Sequence, residues 1–128
     1  MAQDLFFGSQ VSEQALSLNL RAYAAHSFRG AVKPFNEDRI LIAPRLSNEH
    51  PDISVFAVFD GHGGHGCAEY LKETMPRLID KQECLKSQPE LALKNAFREA
   101  EEEFMRKNEV VIKDRSGSCA CLVMVRGD

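Results

Sequence analysis

The sequence predicts an α+β fold on three observations. Ile53 to Phe59 is a near-continuous apolar run of strand-forming residues, which is typical of a buried strand. Two stretches whose apolar residues recur at helical spacing follow it, and another apolar run, Cys119 to Val125, comes after them. The predicted order is three strands, two helices and one more strand, so the elements do not alternate as in a parallel α/β chain.

The first two strands are short and less clearly marked. Met1 to Asn19 has no consistent period and is predicted to be an N-terminal arm, and Leu18 to Ala25 alternates loosely as a first strand. His26 to Asp38 is a loop, because glycine, proline and asparagine interrupt it. Ile40 to Ala43 is then a short strand, and the polar turn Ser47 to Asp52 joins it to the next one.

The central strand ends beside a carboxylate. Ser54 is the only polar residue between Ile53 and Phe59, so we expect this strand to be buried on both faces and to end at a turn at Asp60 and Gly61. The carboxylate of Asp60 would then lie at the mouth of the core. Such placement costs stability, and it is typical of metal ligands and catalytic residues.

The two predicted helices differ in how they begin. Gly66 to Asp80 is amphipathic, and Pro76 within it predicts a kink or a break. Ser87 and Glu90 resemble a capping box, which predicts the start of the second helix. The acidic run Glu99 to Glu103 is then its solvated face.

Composition and charge limit the class of protein. The 128 residues suffice for one core of ordinary size, and 44% hydrophobic and 27% charged residues are typical of a globular domain. A net charge of -3 argues against nucleic acid as the main partner. No apolar run approaches a membrane span, no secretory signal is apparent, and Ala2 excludes the usual myristoylation motif. We therefore expect a location in the cytoplasm, the nucleus or both.

The four cysteines lack CxxC spacing, and because no secretory signal is apparent we expect reduced thiols. Cys119 and Cys121 would share one face of a strand as small packing residues.

Acidic and glycine residues favour a hard cation near the end of the central strand. An aspartate after a strand is often only a turn former, but four glycines between positions 61 and 66 leave the backbone open to an ion or a phosphate. Glu37 and Asp38 add two carboxylates to that of Asp60, a donor set suited to Mg²⁺ or Mn²⁺. Lys33 or Arg29 could pair with an anionic substrate such as phosphate.

The histidines leave two interpretations open. His62, His65 and Cys67 could bind zinc, but no fourth ligand stands at a suitable local spacing. A histidine beside a bound substrate could instead act as a general acid. His62 fits that role because it is nearer Asp60, whereas His65 fits a loop histidine without a role.

Three motifs together carry a family resemblance. FAVFDGHGG at Phe56 to Gly64, NED at Asn36 to Asp38 and DRSGSCA at Asp114 to Ala120 resemble the metal-dependent serine/threonine protein phosphatases of the type 2C family. The motifs occur in the family's order and at about its spacing, and the resemblance covers roughly Leu20 to Val125.

The resemblance implies a four-layer αββα sandwich, in which two antiparallel sheets are flanked by helices. Residues 20–128 would form the N-terminal part of that catalytic domain, following an arm at 1–19. The C-terminal part of the sandwich, with at least two acidic metal ligands, would be absent from this chain. Exposed strand edges would then favour self-association.

The resemblance also implies a site for two Mn²⁺ or Mg²⁺ ions. Asp60 would bridge both metals, Gly61 would offer its carbonyl oxygen, and Glu37 would be a further ligand, directly or through water. A metal-bridging hydroxide would attack the phosphorus of phosphoserine or phosphothreonine in a phosphoprotein substrate.

The remaining implied roles are catalytic. His62 would be the general acid, and Asp38 would order metal-bound waters or His62. Lys33 stands where many members have an arginine that binds phosphate, so it keeps the charge but loses the two-pronged contact. The alternative is a catalytically incomplete module that binds a partner or a phosphoprotein.

Overall fold

The computed structural model of the chain describes residues 22–109 and 113–127. Three strands and two helices lie in these ranges, namely β1 (Arg39–Ala43), β2 (Ile53–His62), α1 (Gly66–Asp80), α2 (Pro89–Lys107) and β3 (Gly117–Arg126). The strands form one antiparallel sheet in the order β1-β2-β3. The predicted α+β class is confirmed.

The core lies on one side of this sheet. Helix α1 packs across all three strands, and α2 packs against α1. Alternate residues of β2 meet the apolar stripe of α1, and the side chains that are fully excluded from solvent there include Ile53, Val55, Phe59, Met75, Leu78 and Ile79. Burying side chains of this size is the main stabilising contribution to the fold.

Strand β2 is buried on one face, so the prediction of burial on both faces was wrong. Phe59 is completely buried, whereas its neighbour Val58 is 49% exposed. Strand β3 shows the same asymmetry, and Cys119 and Cys121 lie exposed instead of packed. The physical reason is that side chains alternate across a strand, and the helices cover one face only. We call the other side of the sheet the open face.

The predicted first strand is not seen where the structure describes the chain. Residues 22–25 of the predicted strand Leu18 to Ala25 are irregular, and residues 18–21, like the predicted arm, lie outside the described ranges. The ring of Tyr23 lies 6.0 Å from that of Phe56, so this segment passes over the open face. The outer edges of β1 and β3 have no partner strand among the described residues.

Helix α1 has the predicted bounds, and of the predicted kink or break at Pro76 the break does not occur. It runs without interruption through Pro76. Proline removes one backbone hydrogen bond, and the complete burial of the adjacent Met75, Leu78 and Ile79 offsets that loss.

No helix of the described residues is long and apolar enough to cross a membrane.

Helix α2 begins with Pro89 at its first position, but the prediction of a capping box formed by Ser87 and Glu90 was wrong. The capping residue is Gln88, and the hydroxyl of Ser87 instead donates to the carbonyl of Cys84 at 3.4 Å. The acidic run is only partly solvated. Glu99 pairs with Lys81, and Glu103 lies 3.0 Å from the guanidinium of Arg77, so two of these acids hold α2 against α1.

A polar cluster fixes the C-terminal end of α1 to the turn before β2. Oδ1 of Asp80 accepts hydrogen bonds from the hydroxyl of Ser47 at 2.6 Å and from Nδ1 of His50 at 2.8 Å. Burial raises the pKa of the Asp80 carboxyl, but these hydrogen bonds together lower it by more. The net pKa therefore lies below its usual range.

The lowered pKa gives a prediction for acid unfolding. Because the folded pKa is depressed, the stabilisation from Asp80 is fully present above the ordinary aspartate pKa of about 3.9 and is lost as pH falls through the folded pKa. We expect Asp80→Asn to lower the free energy of unfolding by about 1 kcal/mol near pH 5. Urea unfolding of both proteins should show that difference shrinking below about pH 4. A difference that does not change with pH would contradict the assignment.

Candidate active site

Strand β2 is longer than the sequence predicted, and three of the candidate site residues lie within it. The strand continues through Asp60 and Gly61 to His62 instead of ending at Phe59. Because of the alternation, Asp60 and His62 both point to the open face and are solvent-exposed. Asp60 therefore lies at the end of a sheet and not at the mouth of a closed core.

The loop before β1 meets this end of β2. Arg39 is the register partner of Phe59, so the antiparallel pairing brings Asp38 beside Asp60 and Glu37 beside Gly61. The approach is close. A Cβ added to Gly61 would lie 3.0 Å from the carbonyl carbon of Glu37 and nearer still to its oxygen. Only glycine lets the two backbones approach this closely.

The carboxylate of Glu37 is fully engaged. Its Oε2 lies 3.0 Å from Nζ of Lys33, and its Oε1 accepts the backbone N–H of Gly64 at 2.7 Å. The hydrogen bond from Lys33, followed by that from Gly64, lowers the pKa of Glu37 below its usual range. The same contact raises the pKa of Lys33, so both groups are charged at neutral pH.

The remaining candidates contribute to the pKa values of Lys33 and Glu37, as neighbouring charges do. The negative charges of Asp38 and Asp60 add, more weakly than Glu37, to the raised pKa of Lys33. His62 in turn contributes, as the weakest of the causes, to the lowered pKa of Glu37. The structure thus brings together the predicted site residues at one end of the sheet, namely Lys33, Glu37, Asp38, Asp60, Gly61 and His62.

Arg39 braces the site and was missed by the sequence analysis. Its Nη1 donates to the carbonyls of Asn36 at 2.9 Å and Asp38 at 2.8 Å, and its Nε pairs with Glu69 in the first turn of α1. Glu69 has a lowered pKa because of the hydrogen bond from Arg39. The sequence did contain a signal for this contact, because Arg39 directly follows the acidic pair and Glu69 lies in the first turn of the predicted helix.

The third motif holds the turn between β2 and α1. The hydroxyl of Ser116 accepts the N–H of Cys67 at 2.8 Å, which satisfies a free donor at the start of α1. Oδ1 of Asp114 accepts the N–H of Ser116 at 2.8 Å. Gly117 lies under His62, since a Cβ there would fall 2.9 Å from Cε1 of the ring. The absence of a side chain at position 117 therefore leaves room for the ring of His62.

The donor atoms at the site are of the kind that suits a hard cation. Carboxylate and carbonyl oxygens are the ligands that Mg²⁺ and Mn²⁺ prefer. Among the described residues, however, no three histidine, cysteine, aspartate or glutamate side chains are grouped so that they could hold a metal. Both oxygens of Glu37 are also occupied by protein donors.

Residues 21–128 match the sequence profile of the family described as Protein phosphatase 2C. Probable protein phosphatase 2C 35 of Arabidopsis thaliana is 34% identical over 95 residues, covering 73% of this chain and 26% of that protein. Probable protein phosphatase 2C 56 of Oryza sativa subsp. japonica is 40% identical over 80 residues, covering 62% of this chain and 22% of that protein. The chain spans about a quarter of the length of these curated relatives.

Two solved structures have a similar arrangement. The serine-threonine phosphatase 2C from Toxoplasma gondii matches with a TM-score of 0.64 and 21% identity, over 74% of this chain and 36% of that chain, which shows the fold alone. A C. elegans sex-determining protein matches with a TM-score of 0.60 and 30% identity, over 70% of this chain and 23% of that chain.

Proposed function

The chain belongs to the protein phosphatase 2C family, and from that membership we propose that it carries part of the active site of a metal-dependent protein serine/threonine phosphatase. The observation that supports this most directly is the contact between the Glu37 backbone and Gly61. It joins the NED motif at Asn36 to Asp38 and the glycine-rich motif at Asp60 to Gly64 at one end of the sheet. The two motifs lie more than twenty residues apart in the sequence. Phosphoproteins are the substrates we propose.

Two side chains would handle the phosphate and the leaving group. Lys33 provides an ammonium group, 56% exposed, that could pair with a phosphoryl oxygen. It would have to share that charge with Glu37, and it lacks the fork of an arginine, so we expect loose phosphate binding. His62 is exposed at the same end and could protonate the serine or threonine oxygen as it leaves. Asp38 would order metal-bound waters or His62.

The cofactor we propose is Mn²⁺ or Mg²⁺, which members of this family generally use. Bound divalent cations would neutralise charge on the phosphate and make water a better nucleophile. Asp60, the carbonyl of Gly61 and Glu37 would be this chain's donors. Because the described residues hold no complete group of ligands, we propose that further acidic ligands come from outside them or from another chain.

Mn²⁺-dependent hydrolysis of p-nitrophenyl phosphate tests the proposal. We expect the protein to turn over this substrate only with the metal present. Asp60→Asn keeps the size of the side chain but removes its charge, and we expect it to lower kcat/KM by at least about a hundredfold. Asp52→Asn makes the same change beyond the opposite end of β2 and should leave kcat/KM within about twofold, as distant surface changes usually do.

A folded protein without turnover at any Mn²⁺ concentration would contradict hydrolysis by this chain alone or by an assembly of its copies. The incomplete donor set would then favour the second candidate function, a module that binds a partner or a phosphoprotein. Equal losses in Asp60→Asn and Asp52→Asn would show that Asp60 acts through stability instead of chemistry.

A further inference from the structure

The loop that leads into the candidate site is held in one conformation by its own polar groups. At its base, Nδ2 of Asn36 donates to the hydroxyl of Ser27 at 2.7 Å. Inside it, Nη1 of Arg29 donates to the carbonyls of Lys33 at 2.8 Å and Pro34 at 3.2 Å. Gly30 permits the turn with a φ of 78°. These contacts connect the two sides of the loop to each other, and a loop ordered in this way loses less conformational entropy on binding.

This loop presents three large apolar side chains to solvent. Phe28 is 71% exposed, Val32 is 96% exposed and Phe35 is 72% exposed. Three exposed apolar side chains within eight residues of the sequence leave apolar surface in water, which favours contact with apolar groups of a partner. We call these three side chains the apolar cluster.

The apolar cluster lies next to the candidate site. Lys33 follows Val32 directly and reaches Glu37 through its 3.0 Å contact. Arg29 follows Phe28, and its guanidinium contacts carbonyl groups and forms no ion pair with an acid in the described part of the chain. The loop thus combines apolar surface with two positive charges, of which that of Lys33 contacts Glu37 of the candidate site.

We propose that the apolar cluster is a docking surface for apolar side chains that flank the phosphorylated residue of an extended substrate peptide. The proposal rests on the proposed function and names its substrate class. Arg29 and Lys33 complement the negative charge of the phosphate, while Phe28, Val32 and Phe35 take up neighbouring apolar side chains.

The charges around the loop favour a peptide over a membrane. Aromatic and basic residues on a loop can also bind an anionic lipid surface. Here, however, the loop adjoins Glu37, Asp38 and Asp60, and the whole chain carries a net charge of -3. A broad anionic surface would be repelled by these acids, whereas a single phosphate group could reach the two cations.

The test compares a phosphothreonine peptide whose flanking residues are leucine and phenylalanine with one whose flanking residues are serine and glutamine. We expect the triple variant Phe28→Ala, Val32→Ala, Phe35→Ala to lower the kcat/KM for the apolar peptide, relative to that for p-nitrophenyl phosphate, by about tenfold to a hundredfold. Fluorescence anisotropy of labelled peptide should show a similar loss of affinity without requiring turnover. The single variant Val32→Ser, at the most exposed position, should give a smaller loss in the same direction.

Leu91→Ala is the matched control, because Leu91 is 44% exposed at the start of α2, outside the loop. It should leave kcat/KM and affinity unchanged for both peptides. Unchanged peptide affinity in the triple variant would overturn the docking proposal even if hydrolysis is normal. If the parent protein does not hydrolyse the substrates but the triple variant shows the expected loss of peptide affinity, the proposed activity is overturned and the docking surface is supported. Stronger co-sedimentation of the parent protein than of the triple variant with phosphatidylserine vesicles, without peptide selectivity, would assign the cluster to a membrane instead.

Discussion

Replacing Phe59 by alanine is expected to lower the free energy of unfolding by about 3–5 kcal/mol. Phe59 is completely buried on the helix-facing side of β2, where it is one of the largest buried side chains. Truncating it would remove apolar burial and leave a cavity between the sheet and α1. In a domain of this size, such a loss is a large fraction of the total stability, which is typically about 5–15 kcal/mol.

The adjacent residue provides the matched control. Val58→Ala changes the same strand, but Val58 is 49% exposed on the open face, so we expect a loss below about 1 kcal/mol. Urea unfolding followed by circular dichroism gives both values. A large loss for Val58→Ala would contradict the one-sided burial of β2 and would show that the open face is covered in solution.

Gly61→Ala is expected to lower the free energy of unfolding by about 3 kcal/mol and to reduce hydrolysis of p-nitrophenyl phosphate. The added Cβ would collide with the backbone of Glu37, which no side-chain rotation can relieve. The start of β1 would have to move away from β2, and Glu37 and Asp38 would leave Asp60. Stability and activity should therefore fall together.

Gly30→Ala separates this clash from the general cost of replacing glycine. Gly30 has a positive φ of 78° but no atom within 4 Å of an added Cβ, so its replacement should cost about 1–2 kcal/mol from backbone strain alone. Thermal and urea unfolding of the two variants give the comparison. Equal losses at the two positions would mean that β1 moves aside without cost and that the close approach is not required.

Local features determined by the sequence were predicted well. The apolar spacing from Gly66 to Asp80 gave the bounds of α1, and Ile53 marked the start of β2. The acidic motif at Asn36 to Asp38 and the glycine-rich motif at Asp60 to Gly64 indicated one site, and the structure brings their residues together. Such features depend on residues close in sequence, whose periodicity and glycine content are visible without a fold.

Other features depended on which surfaces meet. A continuous apolar run such as that of β2 is compatible with burial on one face or two, and the position of α1 decided for one. Pro76 stays within a continuous helix because its neighbours are buried, and Glu99 and Glu103 bind α1 because α2 packs there.

The electrostatic state of the site also required the tertiary structure. The sequence indicated which carboxylates belong to it, but only the fold shows that Lys33 and the N–H of Gly64 occupy both oxygens of Glu37. The sequence by itself therefore determined the elements and the chemical types at the site. The tertiary structure decided which faces are buried, which donors are engaged and which loop side chains stay exposed, because these depend on contacts between segments distant in the chain.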